Sequence, residues 1–187
     1  MVKMKNIFKK VKAVFTLSIA FLLTSCAFTA SKNLHGAELA ELPDEQLFET
    51  VYLQTIDLVL SYPDEEIAFS KISPEQRTVY ILSIYDMEIQ NGGLCQFFVN
   101  SSRSLAPYVE ENLSIVGAGE HKKLFSEFIA SNNIDLYNLD SFIISDLSEY
   151  ASQAKRYDFD SFDCKYIESK PLQSYITNYI RANVEKF

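Results

Sequence analysis

Side chains that commonly build catalytic and metal centres are scarce in this sequence. Its 187 residues include two histidines, His35 and His121, three cysteines and no tryptophan. Neither a His or Cys spacing typical of a metal site nor a glycine-rich phosphate loop occurs. We therefore predict no metal, no cofactor and no catalytic residue. His121 is interpreted as a surface histidine that opens a helix, with a Ser-His-Asp arrangement as the alternative.

The apolar run near the N-terminus is too short to cross a membrane. It covers 11 residues, 13–23, whereas a spanning helix needs about 20. Five lysines precede it, and Leu23-Thr24-Ser25-Cys26 closes it. This order is typical of a cleaved export signal. The closing four residues resemble the bacterial lipobox, in which the cysteine receives a lipid before the signal is removed.

The lipobox resemblance implies a mature chain that starts at Cys26 and is held on a membrane by its lipid. Acyl chains stabilise such anchoring by about 0.8 kcal/mol per buried methylene. Ala27 follows the cysteine, and a residue other than aspartate there favours the outer membrane if the organism is Gram-negative. The predicted location is the bacterial cell envelope. A plain cleaved signal with a chance cysteine is the alternative.

Basic residues are few once the signal is removed. Residues 26–187 carry 12 basic and 25 acidic side chains, a formal charge of −13. This charge argues against direct binding of nucleic acid and favours a basic protein partner. The alternative is that the charge serves only to keep the protein soluble. The candidate acidic surface consists of Asp64, Glu65, Glu66, Glu110 and Glu111. The oligomeric state is left open.

The chain is divided into a signal peptide (1–25), a lipidated N-terminus with a tether (26–42) and one domain (43–187). Helical periodicity dominates the domain, so we predict a mostly all-α fold, a single compact multi-helix domain. After Pro43-Asp44 the apolar spacing predicts a helix of about 17 residues. Ser73 and Gln76 predict a capping box for a second helix, which Asn91-Gly92-Gly93 ends.

Four further patterns predict the remaining helices. Ser104 is expected to cap one helix, and Leu124, Phe125 and Phe128 lie on another. Residues 143–154 share a helical face that includes Ile143. After Pro171, residues 172–180 give a clear amphipathic pattern. Asp158, Asp160 and Asp163 do not match a calcium-binding EF-hand loop, and Asp160 or Ser161 is interpreted as a helix cap.

The thiols and aromatics each allow two interpretations. Cys95 and Cys164 form a disulfide in the exported protein, or they are small buried hydrophobic residues. The aromatic residues pack in the core, or they line a ligand groove. A polar mouth for such a groove requires Asn91, Gln96, Asn100 and Ser101 to converge, and the spacing of Gln96 and Asn100 places both amides on one helical face.

One segment carries a family resemblance. Asn91-Gly92-Gly93-Leu94-Cys95-Gln96-Phe97-Phe98-Val99-Asn100-Ser101 resembles the signature of the DNA-mimic-protein-19-like family. The segments 115–118, 157–163 and 179–183 resemble further family elements, so the resemblance covers about residues 45–185. It implies an acidic, largely helical protein whose carboxylates imitate DNA phosphates. Leu94 and Cys95 depart from the usual pattern, as does the lipoprotein signal.

Three functions remain from different classes. We favour a non-catalytic envelope lipoprotein whose acidic helical domain binds a protein partner, as an inhibitor or immunity protein. The second is a DNA-mimic regulator of a DNA-binding protein, which requires a non-functional lipobox. The third is an uncharacterised enzyme that uses the Asn-Gly-Gly-x-x-Gln element at Asn91, Gly92, Gly93 and Gln96.

Overall fold

The computed structural model describes residues 33–187, so the predicted signal peptide, Cys26 and the first part of the tether lie outside the described residues. The described part is a single compact helical domain with no strand, which confirms the predicted all-α class. In this part no helix is both long and apolar enough to span a bilayer. Its α-helices are α1 (Ala37–Ala40), α2 (Asp44–Leu60), α3 (Glu65–Phe69), α4 (Pro74–Val99), α5 (Ala106–Ile115), α6 (Gly119–Ser131), α7 (Leu147–Gln153), α8 (Phe159–Glu168) and α9 (Leu172–Ala182).

Local sequence signals set the start of the two longest helices. Helix α2 begins directly after Pro43 and has 17 residues, as predicted. Helix α4 begins with the predicted capping box. The amide N–H of Gln76 donates to Ser73 Oγ at 3.0 Å, and the N–H of Ser73 donates to Gln76 Oε1 at 2.9 Å. These bonds satisfy amide groups that have no partner within the helix.

Helix α4 lies at the centre of the domain and packs against α2, α5, α8 and α9. Its Tyr85 is fully buried, and its ring makes edge-on contacts with Phe97, Phe125 and Tyr166 at centroid distances of 5.2, 5.6 and 6.0 Å. Such edge-to-face contacts add to the stabilisation from apolar burial. The core-packing interpretation therefore holds for Tyr85, Phe97 and Phe98, all fully buried.

The folded part begins before the predicted boundary at residue 43. Leu39 in α1 is fully buried. The Arg181 guanidinium in α9 donates to the backbone oxygens of Ala40 and Leu42, at 2.9 and 2.8 Å. Because these bonds satisfy carbonyl groups at the end of α1, residues 37–42 are part of the domain rather than of a free tether.

Ser104 does not cap α5 as predicted. It lies in the 3-10 helix Ser101–Leu105, and α5 begins at Ala106 without a side-chain cap. Its hydroxyl instead lies 3.0 Å from the Ser101 oxygen and 3.1 Å from Glu65 Oε2, the two acceptors to which it can donate. The sequence prediction was wrong here because Ser104 belongs to this 3-10 helix and is not placed at the start of α5.

Two other helix starts also differ from the predictions. Ile143 lies outside α7, which begins at Leu147 after the N-cap Asp146. Ile143 is therefore exposed rather than part of a buried helical face. Helix α8 is capped by Asp158, whose carboxylate accepts the N–H of Ser161 at 3.2 Å. The cap thus lies two residues before the predicted position at Asp160.

Candidate functional site

The signature segment lies at a break inside helix α4. Gly92 (φ −163°, ψ 22°) and Gly93 (φ 76°, ψ 178°) leave helical geometry, but the helix resumes and continues to Val99. The predicted end of the helix at Asn91-Gly92-Gly93 is therefore a kink. Residues 94–99, which follow it, are again helical.

Groups from two other helices satisfy the backbone at the kink. The N–H of Leu94 donates to Asp163 Oδ1 in α8 at 2.9 Å, and the Tyr150 hydroxyl in α7 donates to the Gly92 oxygen at 3.2 Å. Burial raises the pKa of Asp163, although the Leu94 hydrogen bond partly opposes this shift and nearby Asp160 adds to it. The kink is thus fixed by contacts between distant parts of the chain.

Gly93 cannot be replaced without displacing Asp163. Its φ of 76° lies in the left-handed region that favours glycine. A Cβ at this position would overlap Asp163 Oδ2 and would lie 2.8 Å from Asp163 Cγ. The second glycine of the signature is therefore required both by backbone conformation and by close packing.

The side chains beyond the kink converge on Glu88. Gln96 Nε2 and Asn100 Nδ2 both donate to Glu88 Oε2 at 2.8 Å, and Ser102 Oγ donates to Glu88 Oε1 at 2.9 Å. Glu88 is half-buried, so its carboxylate is partly removed from water. Hydrogen bonds to a charged acceptor are stronger than those between neutral groups. The Glu88 network consists of Glu88, Gln96, Asn100 and Ser102.

The kink makes this network possible. Glu88 and Gln96 are eight residues apart, which in a straight helix corresponds to about 12 Å along the axis. The break at Gly92 and Gly93 redirects the following turn, so that the Gln96 amide returns to Glu88. The Asn-Gly-Gly-x-x-Gln element therefore has a direct structural explanation.

The network includes only part of the predicted polar mouth. The amides of Gln96 and Asn100 lie on one helical face, as their spacing predicted, and they share the acceptor Glu88. Asn91 and Ser101 are exposed and lie outside the network. Sequence reasoning missed Glu88 altogether. A carboxylate three residues before Asn91, on a helix that otherwise buries apolar side chains, was the available signal.

Cys95 and Cys164 do not form a disulfide in the described part of the chain. Both are free thiols, and Cys95 is buried whereas Cys164 is exposed. The two side chains therefore face different environments, although they lie on helices that pack together. Burial raises the pKa of the Cys95 thiol to about 11, so that it stays protonated near neutral pH.

His121 is buried rather than on the surface as predicted. It lies in the first turn of α6 with 1% of its surface exposed, and its Nε2 is 2.7 Å from the Lys170 oxygen. Its Nδ1 has no hydrogen-bond partner, so the alternative Ser-His-Asp arrangement is not formed among the described residues. The ring packs against Tyr166, whose hydroxyl donates to Asp86 at 2.7 Å. Burial raises the pKa of Asp86.

The candidate acidic residues of α3 have distinct roles. Asp64 caps this helix by accepting the N–H of Ile67 at 2.9 Å. Glu65 accepts hydrogen bonds from Tyr80 at 2.9 Å and from Ser104, while Glu66 is exposed. Burial raises the pKa of Tyr80, and the Glu65 carboxylate reinforces the shift.

The two acidic pairs lie on neighbouring helices. Phe69 of α3 contacts Tyr108 of α5 with ring centroids 6.3 Å apart. On α5, Glu110 forms an ion pair with Lys122 at 3.8 Å, and Glu111 is exposed. Among residues 33–187 no group of three or more His, Cys, Asp or Glu side chains is arranged to hold a metal ion.

Comparison with known proteins gives one match. The family model described as DMP19-like protein matches residues 70–183. The matched region begins before α4 and therefore contains the kink, the Glu88 network and Asp163. No curated protein and no solved structure matches the chain.

Proposed function

The chain belongs to the DMP19-like protein family, and from this premise we propose that it is an envelope lipoprotein whose acidic helical domain binds a basic protein without catalysis. The anchoring half of the proposal rests on the sequence around Cys26. The binding half rests on the charge of the folded domain. A role as an inhibitor or immunity protein against an incoming basic toxin, such as a nuclease, accords with both.

The excess of carboxylates is the observation that carries the binding proposal. Residues 33–187 contain 25 acidic and 11 basic side chains, and most of the acidic ones are exposed. Exposed charges of one sign attract a partner of opposite sign and accelerate its association. The same charge repels the phosphates of nucleic acid, which supports a protein partner.

The Glu88 network supports a structural rather than a catalytic role for the signature segment. The amide groups of Gln96 and Asn100 donate to Glu88, which also accepts from Ser102. These side chains are thus engaged in holding the kink. The enzyme alternative would require them to act on a substrate instead.

Replacement of Cys26 by serine is expected to abolish lipid labelling and to release the protein from the membrane fraction, since serine has no thiol to accept the lipid. Metabolic labelling with a fatty-acid analogue and membrane fractionation measure both effects. Cys164→Ser, which removes an exposed thiol elsewhere, should leave labelling unchanged. Lipid labelling and membrane association of the Cys26 variant equal to those of wild type would refute the anchoring half of the proposal.

Capture from envelope fractions is expected to yield a basic protein at low salt, with at least tenfold less at high salt, because salt screens attraction between exposed charges. The bait is the full-length lipidated chain in detergent, and mass spectrometry identifies the bound protein. Bait carrying Asp160→Lys and Glu168→Lys measures how much of the capture depends on overall charge. Recovery of a partner that is acidic, or that stays bound equally well at all salt concentrations, would refute the binding half.

A further inference from the structure

The outward side of helix α5 exposes large apolar residues. Tyr108 and Ile115 are 43% and 47% exposed, and exposed Glu111 lies between them on the same side of the helix. Residues spaced by three, four and seven positions share one helical face. The opposite side of α5 is buried through Val109 and Leu113. This outward side is thus a largely exposed helix face, which we call the α5 face (Tyr108, Glu111 and Ile115).

Helix α3 adds negative charge beside the α5 face. Phe69 packs against Tyr108, and Glu65 and Glu66 precede Phe69 by four and three residues. They therefore lie on the side of α3 that faces Tyr108. Ser104, in the 3-10 helix that precedes α5, lies within hydrogen-bond distance of Glu65 Oε2, at 3.1 Å, and of the Ser101 oxygen, at 3.0 Å. Tyr108 thus has carboxylates on both sides, from α3 and from Glu111.

From this arrangement we infer that the α5 face, flanked by Glu65 and Glu66, is the docking surface for the basic protein partner. The inference rests on the proposed function and names its contact surface. Tyrosine is enriched among residues that dominate binding energy, because it buries a large rigid ring while keeping a polar group. A complementary partner presents an apolar residue for Tyr108 and Ile115, with Lys or Arg side chains placed around it to meet the carboxylates.

Two exposed apolar residues elsewhere on the domain provide a matched comparison. Tyr137 and Ile167 are 87% and 71% exposed, and they lie outside α3 and α5. Their greater exposure means that simple accessibility would favour them as contact points. A preference of the partner for Tyr108 over Tyr137 is therefore a specific consequence of the α5 face.

Site-specific photo-crosslinking in cells that express the full chain tests this inference. A benzophenone amino acid at position 108 is expected to give an adduct with a basic protein, at least tenfold stronger than the same probe at position 137. Tyr108→Ala with Ile115→Ala should reduce capture of that protein by about tenfold or more. Tyr137→Ala with Ile167→Ala should leave capture unchanged.

A second pair of variants separates the contribution of the carboxylates beside Tyr108 from that of the net charge of the protein. Glu66→Lys with Glu111→Lys should reduce the adduct at position 108 more than Asp160→Lys with Glu168→Lys, which changes the net charge equally. If wild type captures a basic protein but position 108 gives no adduct, the binding proposal stands and the α5 face is wrong. An adduct with a second copy of this chain would likewise overturn the inference, and failure of wild type to capture any basic protein would refute both proposals.

Discussion

Gly93→Ala is expected to destabilise the domain by about 4 kcal/mol. A non-glycine residue at φ 76° and ψ 178° costs about 1–3 kcal/mol, because this region is essentially restricted to glycine. The new methyl group would also displace the Asp163 carboxylate, which accepts the Leu94 N–H. Loss of a hydrogen bond to a charged group costs about 1.5–3 kcal/mol. Urea unfolding measures the change in the free energy of unfolding, and the melting temperature should fall by about 10 °C or more.

Gly117→Ala is the matched control for this prediction. Gly117 has nearly the same φ, 75°, but a Cβ there would meet no atom within 4 Å. Its replacement should therefore cost only the conformational part, about 1–2 kcal/mol. Equal losses for the two variants would show that packing against Asp163 adds nothing to the requirement for glycine at position 93.

Glu88→Ala is expected to destabilise the domain by about 3 kcal/mol. The substitution removes the acceptor of three side-chain hydrogen bonds, and buried donors left without a partner cost about 1–3 kcal/mol each. Water can reach the half-buried Gln96 and Asn100, which limits their share, whereas Ser102 is buried. Urea unfolding again measures the loss. Glu111→Ala, which removes an exposed carboxylate from α5, should change stability by less than about 0.5 kcal/mol.

A double-mutant cycle tests whether the network acts through the contact between Glu88 and Gln96. If it does, Glu88→Ala and Gln96→Ala together should cost less than the sum of the single substitutions, by about 0.5 kcal/mol or more. Strict additivity would mean that the two side chains stabilise the domain independently. In that case the signature glutamine would need an explanation other than its bond to Glu88.

Signals carried by neighbouring residues predicted the fold well. The capping box of Ser73 and Gln76, the extent of α2 and the amphipathic pattern of α9 are all present in the structure. In each case the interactions that define the helix lie within a few residues of one another. Hydrophobic periodicity and end caps are therefore sufficient to place these helices along the chain.

The contacts that the sequence did not predict join distant residues. Asp163 supports the kink from a position 69 residues beyond Leu94, so the continuation of α4 past Gly93 has no local signal. His121 can be buried because its Nε2 lies within hydrogen-bond distance of the backbone oxygen of Lys170, 49 residues away in the chain. Histidine is intermediate between the buried and the exposed residue types, so its presence in the sequence gives no indication of such a partner.

The candidate site shows the same difference between local contacts, which the sequence predicted, and distant contacts, which it did not. The spacing of Gln96 and Asn100 predicted that their amides share a face, which is correct. Their common acceptor Glu88 was not identified, because a kink of unknown direction separates it from them. The carboxylates of α3 and α5 lie near each other because Phe69 packs against Tyr108. The spacing of residues along the sequence does not predict this contact between two separate helices.

The position of α9 constrains the order in which the domain can fold. This helix packs against both α2 and α4, and its Arg181 holds the segment that follows α1. Contacts between distant parts of a chain carry a loop-closure cost and slow folding. The core cannot be completed until residues 172–182 have been synthesised, so a nascent chain lacks its final packing. Under the proposed export, this requirement would leave the chain without its final packing until its last helix has been made.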